Sequence, residues 1–267
     1  MSPKAEIGII GGSGFYEFIT DGQDYEVMTR WGRPSDKITI GQISGRAVAF
    51  LPRHGKNHIF PPHRVPYLAN LAAFKKIGVK YLIAPSSCGS LQAGIKPGDF
   101  VICDQFVDRT KNRTDTYYHG PTVVHIVGAE PYCPTLRQLA IDSCRRLNIP
   151  HHPTGTAVVI NGPRFSTKQE SLYFTRMGNS VVNMTQYPEV VLAREQEICY
   201  VNISLCTDYD VGLVSEQHLP PVNIQQVLST FKSNIERVKN LIGEMIKQLP
   251  PSKLTCDCQQ TLTKSRI

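Results

Sequence analysis

Short runs rich in Val, Ile and aromatic residues recur along the whole chain, and between them apolar residues fall three or four apart. The first pattern fits strands at 6–10, 37–43, 47–52, 80–84, 99–103, 155–160, 180–184 and 200–206. The second fits helices at 65–76, 135–147, 168–177 and 189–197. The clearest helical period comes last: Ile224, Val227, Leu228, Phe231, Ile235, Val238, Leu241, Ile242, Met245 and Leu249 share one face. Asn223 and Gln226 stand before them as an N-cap and its N3 partner. This last helix should cover a sheet. Strands alternating with helices and no low-complexity linker predict a single α/β domain, a central mixed, twisted sheet flanked by helices over 1–250, followed by a polar tail at 251–267.

Several predicted strands run into polar clusters, "GGSG", "PRHG", "PSSCGS", "NMTQYPE" and "CTDYD", and the carboxyl ends of strands are where an open α/β sheet binds its ligand. The first cluster has the order Gly8-x-x-Gly11-Gly12-Ser13-Gly14, which lacks both the dinucleotide G-x-G-x-x-G and the P-loop spacing. An anion other than a dinucleotide pyrophosphate is expected there. Taken together, Ser13, Arg53, His54, Ser86, Ser87 and Thr185 read as an oxyanion site, with Arg53 holding the anion bidentately. Asp208 and Asp210 form a separate carboxylate pair, pointing to one face if the strand continues through them.

Composition changes this picture little. The chain has 267 residues, 41% of them hydrophobic and 19% charged, and no apolar run approaches a membrane span. A cytoplasmic protein is expected, since "MSPKAEIGII" lacks a secretory core. The formal charge of +7 is dispersed, which argues against nucleic acid and suits a small anionic substrate. His54 and His58 lack the Glu of a zinc helix and lie in a Gly/Pro-rich loop, so no metal is expected there. Eight cysteines read mostly as buried thiols. Cys256 and Cys258 leave a redox pair, a metal or simple solvation open.

The stretches "GIIGGSGFY", "WGRPSDKITIG", "LPRHGKNH", "CGSLQAGIKPGDFVICDQFVDRT", "AEPYCP", "NGPRFSTKQES", "VNMTQYPEVVLAREQEICY" and "CTDYD" together resemble the methylthioadenosine phosphorylases, within the wider purine nucleoside phosphorylase group. The resemblance implies phosphorolysis of a purine nucleoside, without cofactor or metal, in a homo-oligomeric trimer or dimer of trimers. It implies that Ser13, Arg53, His54, Ser86, Ser87 and Thr185 cradle phosphate, Met184 lies against the ribose, Phe165 flanks the purine, and Asp208 and Asp210 face the base. His125 resembles a segment offered to a neighbouring subunit's site. At Ile224, phosphorylases that accept a 5′-hydroxyl carry His, so Ile224 and Val227 imply an apolar 5′ group. Ser13 and Ser86 stand where many members have Thr, and Asn161 and Gln186 also depart from the usual pattern. A 6-oxopurine or methylthioinosine phosphorylase, or an inactive nucleoside-binding protein, is the competing expectation.

Overall fold

The structure, a computed structural model, describes residues 4–12, 19, 21–211, 224–250 and 255–266. In chain order its elements are β1 (Ile7–Gly11), β2 (Gln23–Tyr25), β3 (Ile38–Ile43), β4 (Arg46–Pro52), α1 (Tyr67–Lys76), β5 (Tyr81–Ser90), β6 (Phe100–Val101) and β7 (Gln105–Arg109). There follow α2 (Pro134–Arg146), β8 (His151–His152), β9 (Thr156–Ile160), α3 (Lys168–Arg176), β10 (Val181–Asn183), α4 (Gln186–Glu195), β11 (Cys199–Asp208), α5 (Ile224–Gln248) and a 3₁₀ segment, Cys258–Lys264.

The described strands join one mixed sheet of eleven, with the path β2-β3-β4-β1-β5-β10-β9-β7 and with β11 also paired to β5. Continuous apolar runs such as β1 are buried on both faces, as parallel central strands must be. Alternation sends Ile7 and Ile9 into the core beneath α2 and α5, and Ile10 into the core beneath α1 and α4. The single α/β domain expected from the alternating pattern is what forms. No helix among the described residues is long and apolar enough to cross a membrane.

Three differences from the sequence pattern matter for the site. β5 does not stop at Ala84 but continues through the polar "PSSCGS" to Ser90, because parallel β11 pairs with it along that length and antiparallel β10 takes its far end. Pairing with β11 along its length, and with β1 and β10 at its two ends, outweighs the weak strand propensity of Pro, Ser and Gly. β2, β7 and β8 were not expected; β2 and β7 are largely exposed, so no apolar alternation announces them. Finally, the fully buried apolar positions of α5 lie in its second half, Val238, Leu241, Ile242 and Met245, with Leu249 just beyond it, while Phe231 and Ile235 in the first half are half-buried against the same core. Leu228 in the first half is exposed.

Candidate active site

A cavity of about 310 Å³ opens where β1, β4, β5, β10 and β11 end. It is lined by Gly12, Arg53, His54, Ser86, Ser87 and Thr185 on one side, Asp208 and Asp210 on another, and Phe165, Met184, Val227, Leu228 and Phe231 between. Of the residues singled out from sequence, Ser13 lies outside the described residues, as does the side chain of Ile224. His125 is exposed and does not line this cavity; its backbone N–H donates to Ser265 O at 2.8 Å.

Gly12 needs no positive φ and lines the cavity; a Cβ there would meet no atom of the described residues within 4 Å. Arg53, on the turn after β4, is buried, and burial alone would lower its pKa. The carboxylate of Glu189 outweighs this and raises it. Arg53 Nε donates to Glu189 Oε2 at 2.7 Å and Nη2 to Glu189 Oε1 at 3.0 Å and Ile10 O at 2.9 Å, while Nη1 donates to Pro85 O at 3.1 Å. The bidentate partner expected to be an anion is therefore Glu189. Of the five guanidinium protons, about one on Nη1 is left for the cavity.

His54 donates Nδ1–H to Phe60 O at 2.8 Å, since a carbonyl can only accept, and its ring stacks on His58 at 4.2 Å. Burial lowers its pKa to about 4. It is neutral at physiological pH, and its remaining nitrogen, Nε2, is an acceptor rather than the donor expected from sequence. Such a group takes a hydrogen bond from a P–OH.

Ser86 is oriented from behind. Tyr132 donates to Gln186 Oε1, Gln186 Nε2 donates to Ser204 Oγ at 2.9 Å, and Ser204 donates to Asn202 Oδ1 at 2.8 Å. Asn202 Nδ2 donates to Ser86 Oγ at 3.1 Å, and the Ser86 hydroxyl makes only a long bond of 3.4 Å back to Asn202 Oδ1, which it can give up to aim its proton at the cavity. Thr185 N–H and Gln186 N–H both go to Asn183 Oδ1, at 2.7 and 2.9 Å, and the Thr185 hydroxyl, whose bond to that oxygen is long at 3.5 Å, can turn to the cavity that Thr185 lines. Asn183 Nδ2 in turn donates to Ser87 O at 2.9 Å, tying the start of α4 to β5. The loop bearing Met184 is held by Arg113, whose Nη2 donates to Met184 O at 2.9 Å and Asn161 O at 2.8 Å.

The carboxylates converge by a route other than strand alternation. β11 has a bulge between Cys206 and Asp208 and ends there. Asp210 takes a φ of 49°, with its N–H capped by Asp208 Oδ1 at 2.8 Å. Asp208 Oδ2 accepts from the Thr207 hydroxyl at 2.7 Å. Gly89 permits this approach, since a Cβ there would stand 2.9 Å from Asp208 Oδ1. Burial, more than the charge of Asp210, raises the Asp208 pKa to about 6, against the two hydrogen bonds it accepts. Asp210 is also raised by burial, while the Ser171 and Ser166 hydroxyls near it favour the charged form. Its Oδ2 is buried and receives no hydrogen bond from the described residues.

Glu189, Asn202, Gln186 and Asn183 were not singled out as parts of the site. A polar residue alone in an apolar run, as Asn202 in "CYVNISL" and Glu189 in "PEVVLA", was the available signal, because such a residue must find a buried partner.

Residues 6–247 match the family model of the phosphorylase superfamily. The S-methyl-5′-thioadenosine phosphorylase of Thermofilum pendens is 46% identical over 99% of both chains. A purine nucleoside phosphorylase of Streptomyces coelicolor is 43% identical, covering 97% of this chain and 95% of its own. Among solved structures, the methylthioadenosine phosphorylase of Schistosoma mansoni in complex with adenine superposes with a TM-score of 0.92 at 36% identity, over 98% of this chain and 99% of that one. With a cavity at the strand ends and this likeness along its length, the chain belongs to the phosphorylase superfamily, among the methylthioadenosine phosphorylases.

Proposed function

We propose that the protein cleaves S-methyl-5′-thioadenosine with inorganic phosphate, which attacks the anomeric carbon to give adenine and 5-methylthioribose 1-phosphate. The observation that carries this reading is one cavity with hydroxyl donors on one side, two buried carboxyls on another and an apolar wall between. As the glycosidic bond breaks, the sugar becomes cationic and the purine anionic. Phosphate held by Ser13, Ser86, Ser87, Thr185 and the free proton of Arg53, with His54 accepting from its P–OH, stabilises the first charge. Asp208, with a pKa raised to about 6, stays protonated in about a tenth of molecules at pH 7, far more than an ordinary carboxyl, and donates that proton to purine N7. Phe165 flanks the base and Met184 lies under the ribose. No cofactor or metal takes part in this scheme. Ultraviolet assay of S-methyl-5′-thioadenosine should show adenine release only when phosphate is added. Equal release without phosphate would make the protein a hydrolase and sink the reading.

Asp210 lines the cavity, and its carboxylate, an acceptor, suits the exocyclic amine of adenine, a donor that hypoxanthine lacks. Asp210→Asn should shift the adenine-to-hypoxanthine ratio of kcat/KM toward hypoxanthine by about tenfold or more, as expected when a buried acceptor is exchanged for a donor. An unaltered ratio would remove Asp210 from base recognition.

The first turns of α5 supply the 5′ selectivity. Val227, Leu228 and Phe231 line the cavity, and Ile224 begins the same helix three residues before Val227. A methylthio group is buried there, whereas a bare hydroxyl loses a water partner at roughly 1–3 kcal/mol. S-methyl-5′-thioadenosine should exceed adenosine in kcat/KM by about ten- to a hundredfold. Ile224→His should narrow that gap by helping adenosine; equal efficiency in the unsubstituted enzyme would leave this face as packing only.

We also assign the enzyme to the cytoplasm as a homo-oligomer, trimer or dimer of trimers, with no nucleic-acid or membrane partner. Exposed Val123 and Val127 on either side of His125 support a contact there with a second copy.

A further inference from the structure

Four thiols from three distant stretches of chain meet at the amino-terminal end of β11. Cys199 opens that strand, Cys133 caps α2, and Cys256 and Cys258 come from the segment after α5. Their Sγ atoms all lie within 4.8 Å of one another, with Cys133 and Cys256 at 3.5 Å and Cys199 and Cys256 at 3.4 Å. Disulfide sulfurs stand about 2.05 Å apart, and none of the four cysteines is so bonded. Sulfurs placed about 2.3 Å from a common tetrahedral centre stand roughly 3.8 Å apart, which the measured separations bracket.

The surroundings suit thiolates. Leu136 N–H donates to Cys133 Sγ at 3.4 Å, and the Gln259 side-chain amide faces Cys199 Sγ at 4.0 Å. Cys133 also sits at the N-terminus of the thirteen-residue α2, where the helix dipole favours an anion. Donors of this kind, on the sulfurs of a metal site, fix the ligands in place.

The geometry points to a four-thiolate site for one zinc ion, built from Cys133, Cys199, Cys256 and Cys258. Four sulfurs select zinc over hard cations, and a full set of four protein ligands leaves no open position for substrate. Binding converts four thiols to four zinc-bound thiolates and releases four protons, with no change of oxidation state. Along β11 the site is about 30 Å from Asp208, at roughly 3.3 Å per residue, so its role is to clamp the segment after α5 onto β11 and α2. That segment is already docked: Cys258, Thr261 and Ser265 are buried, and Arg266 bridges to Val124.

The full chain, isolated under reductant without chelator, should hold about one zinc per chain by elemental analysis. Exchange for cobalt(II) should give the intense thiolate-to-cobalt charge-transfer band and visible bands of a tetrahedral sulfur site. Cys256→Ser, the half-buried member and so the mildest change, should weaken zinc binding more than about tenfold and lower the denaturation midpoint. Turnover of S-methyl-5′-thioadenosine should stay within about twofold, because no thiol of the four lines the cavity, which separates failure of this site from failure of the proposed reaction. Four titratable thiols with no zinc retained after incubation with the metal, or disulfides between these cysteines in peptide maps of the isolated chain, would overturn the assignment.

Discussion

Asp208→Asn lowers kcat by about a hundred- to ten-thousandfold, the range a positioned general acid supplies, and at the same time makes the protein more stable in mild alkali. Both follow from one buried carboxyl. Its pKa in the folded protein, about 6, lies above the ordinary 3.8, so the native state holds a proton that the unfolded chain has released between those values. The stability contributed by this group is full below about pH 3.8 and is lost as pH rises through about 6, an effect on the order of 3 kcal/mol at most. Asn carries no charge and escapes that loss. It keeps an oxygen for the Asp210 N–H, and Thr207, 3.2 Å from Cys88 O, can turn its proton there and accept from the new amide. In the unsubstituted enzyme, kcat/KM for the nucleoside should be level below about pH 6 and fall above it, a limb that the variant lacks. Thermal melts and rate profiles from pH 5 to about pH 9 check both halves. A variant that is less stable at pH 8, or that keeps most of its activity, would remove the proton from Asp208.

Arg53→Ala produces the largest change in stability. Loss of the guanidinium leaves the fully buried Glu189 with only the Tyr200 hydroxyl, 2.7 Å from Oε1, to answer its charge. Breaking a buried pair by removing one partner costs about 3–5 kcal/mol, far more than one contact to phosphate contributes. The triple change Arg53→Met, Glu189→Leu, Tyr200→Phe removes the charges together and should recover most of that stability in urea denaturation. Its phosphate KM should remain raised, because the remaining Nη1 proton and the rigid support of Pro85 O are both gone. If Arg53→Ala costs under about 1 kcal/mol, the ion pair is not the clamp the geometry describes; if the triple variant binds phosphate normally, Arg53 has no part in the anion site.

What the sequence disclosed depended on whether a residue's role was local. The alternation of strands and helices and the polar strand ends were readable because each is written in consecutive residues, and they located the cavity before its geometry was known. Arg53 and His54 were found by the same rule, yet their chemistry was misjudged: the partners that decide it, Glu189 and Phe60 O, lie far along the chain or on the backbone. Asp208 and Asp210 were paired on the premise of a continuing strand, whereas a bulge and a left-handed turn bring them together. The serines of β5 looked like a loop because intrinsic propensity is weak there and neighbouring strands decide. Nothing in the spacing of Cys133, Cys199, Cys256 and Cys258 announces that they meet, since each pair but the last is separated by more than fifty residues.

That extension of β5 has a dynamic consequence. Ser86 and Ser87 are carried on backbone bonded to β11 in the middle of the sheet, so the amides there that bond to β11 can exchange with solvent only when the two strands separate. The hydroxyls offered to phosphate are thus already in place before the anion arrives, and little ordering remains to be done there. Hydrogen–deuterium exchange should therefore find the amides within 83–88 that bond to β11 as slow without phosphate as with it. The added protection on loading the enzyme should fall instead on the opening turns of α5, where Leu228 is exposed and contact with the core begins only at Phe231.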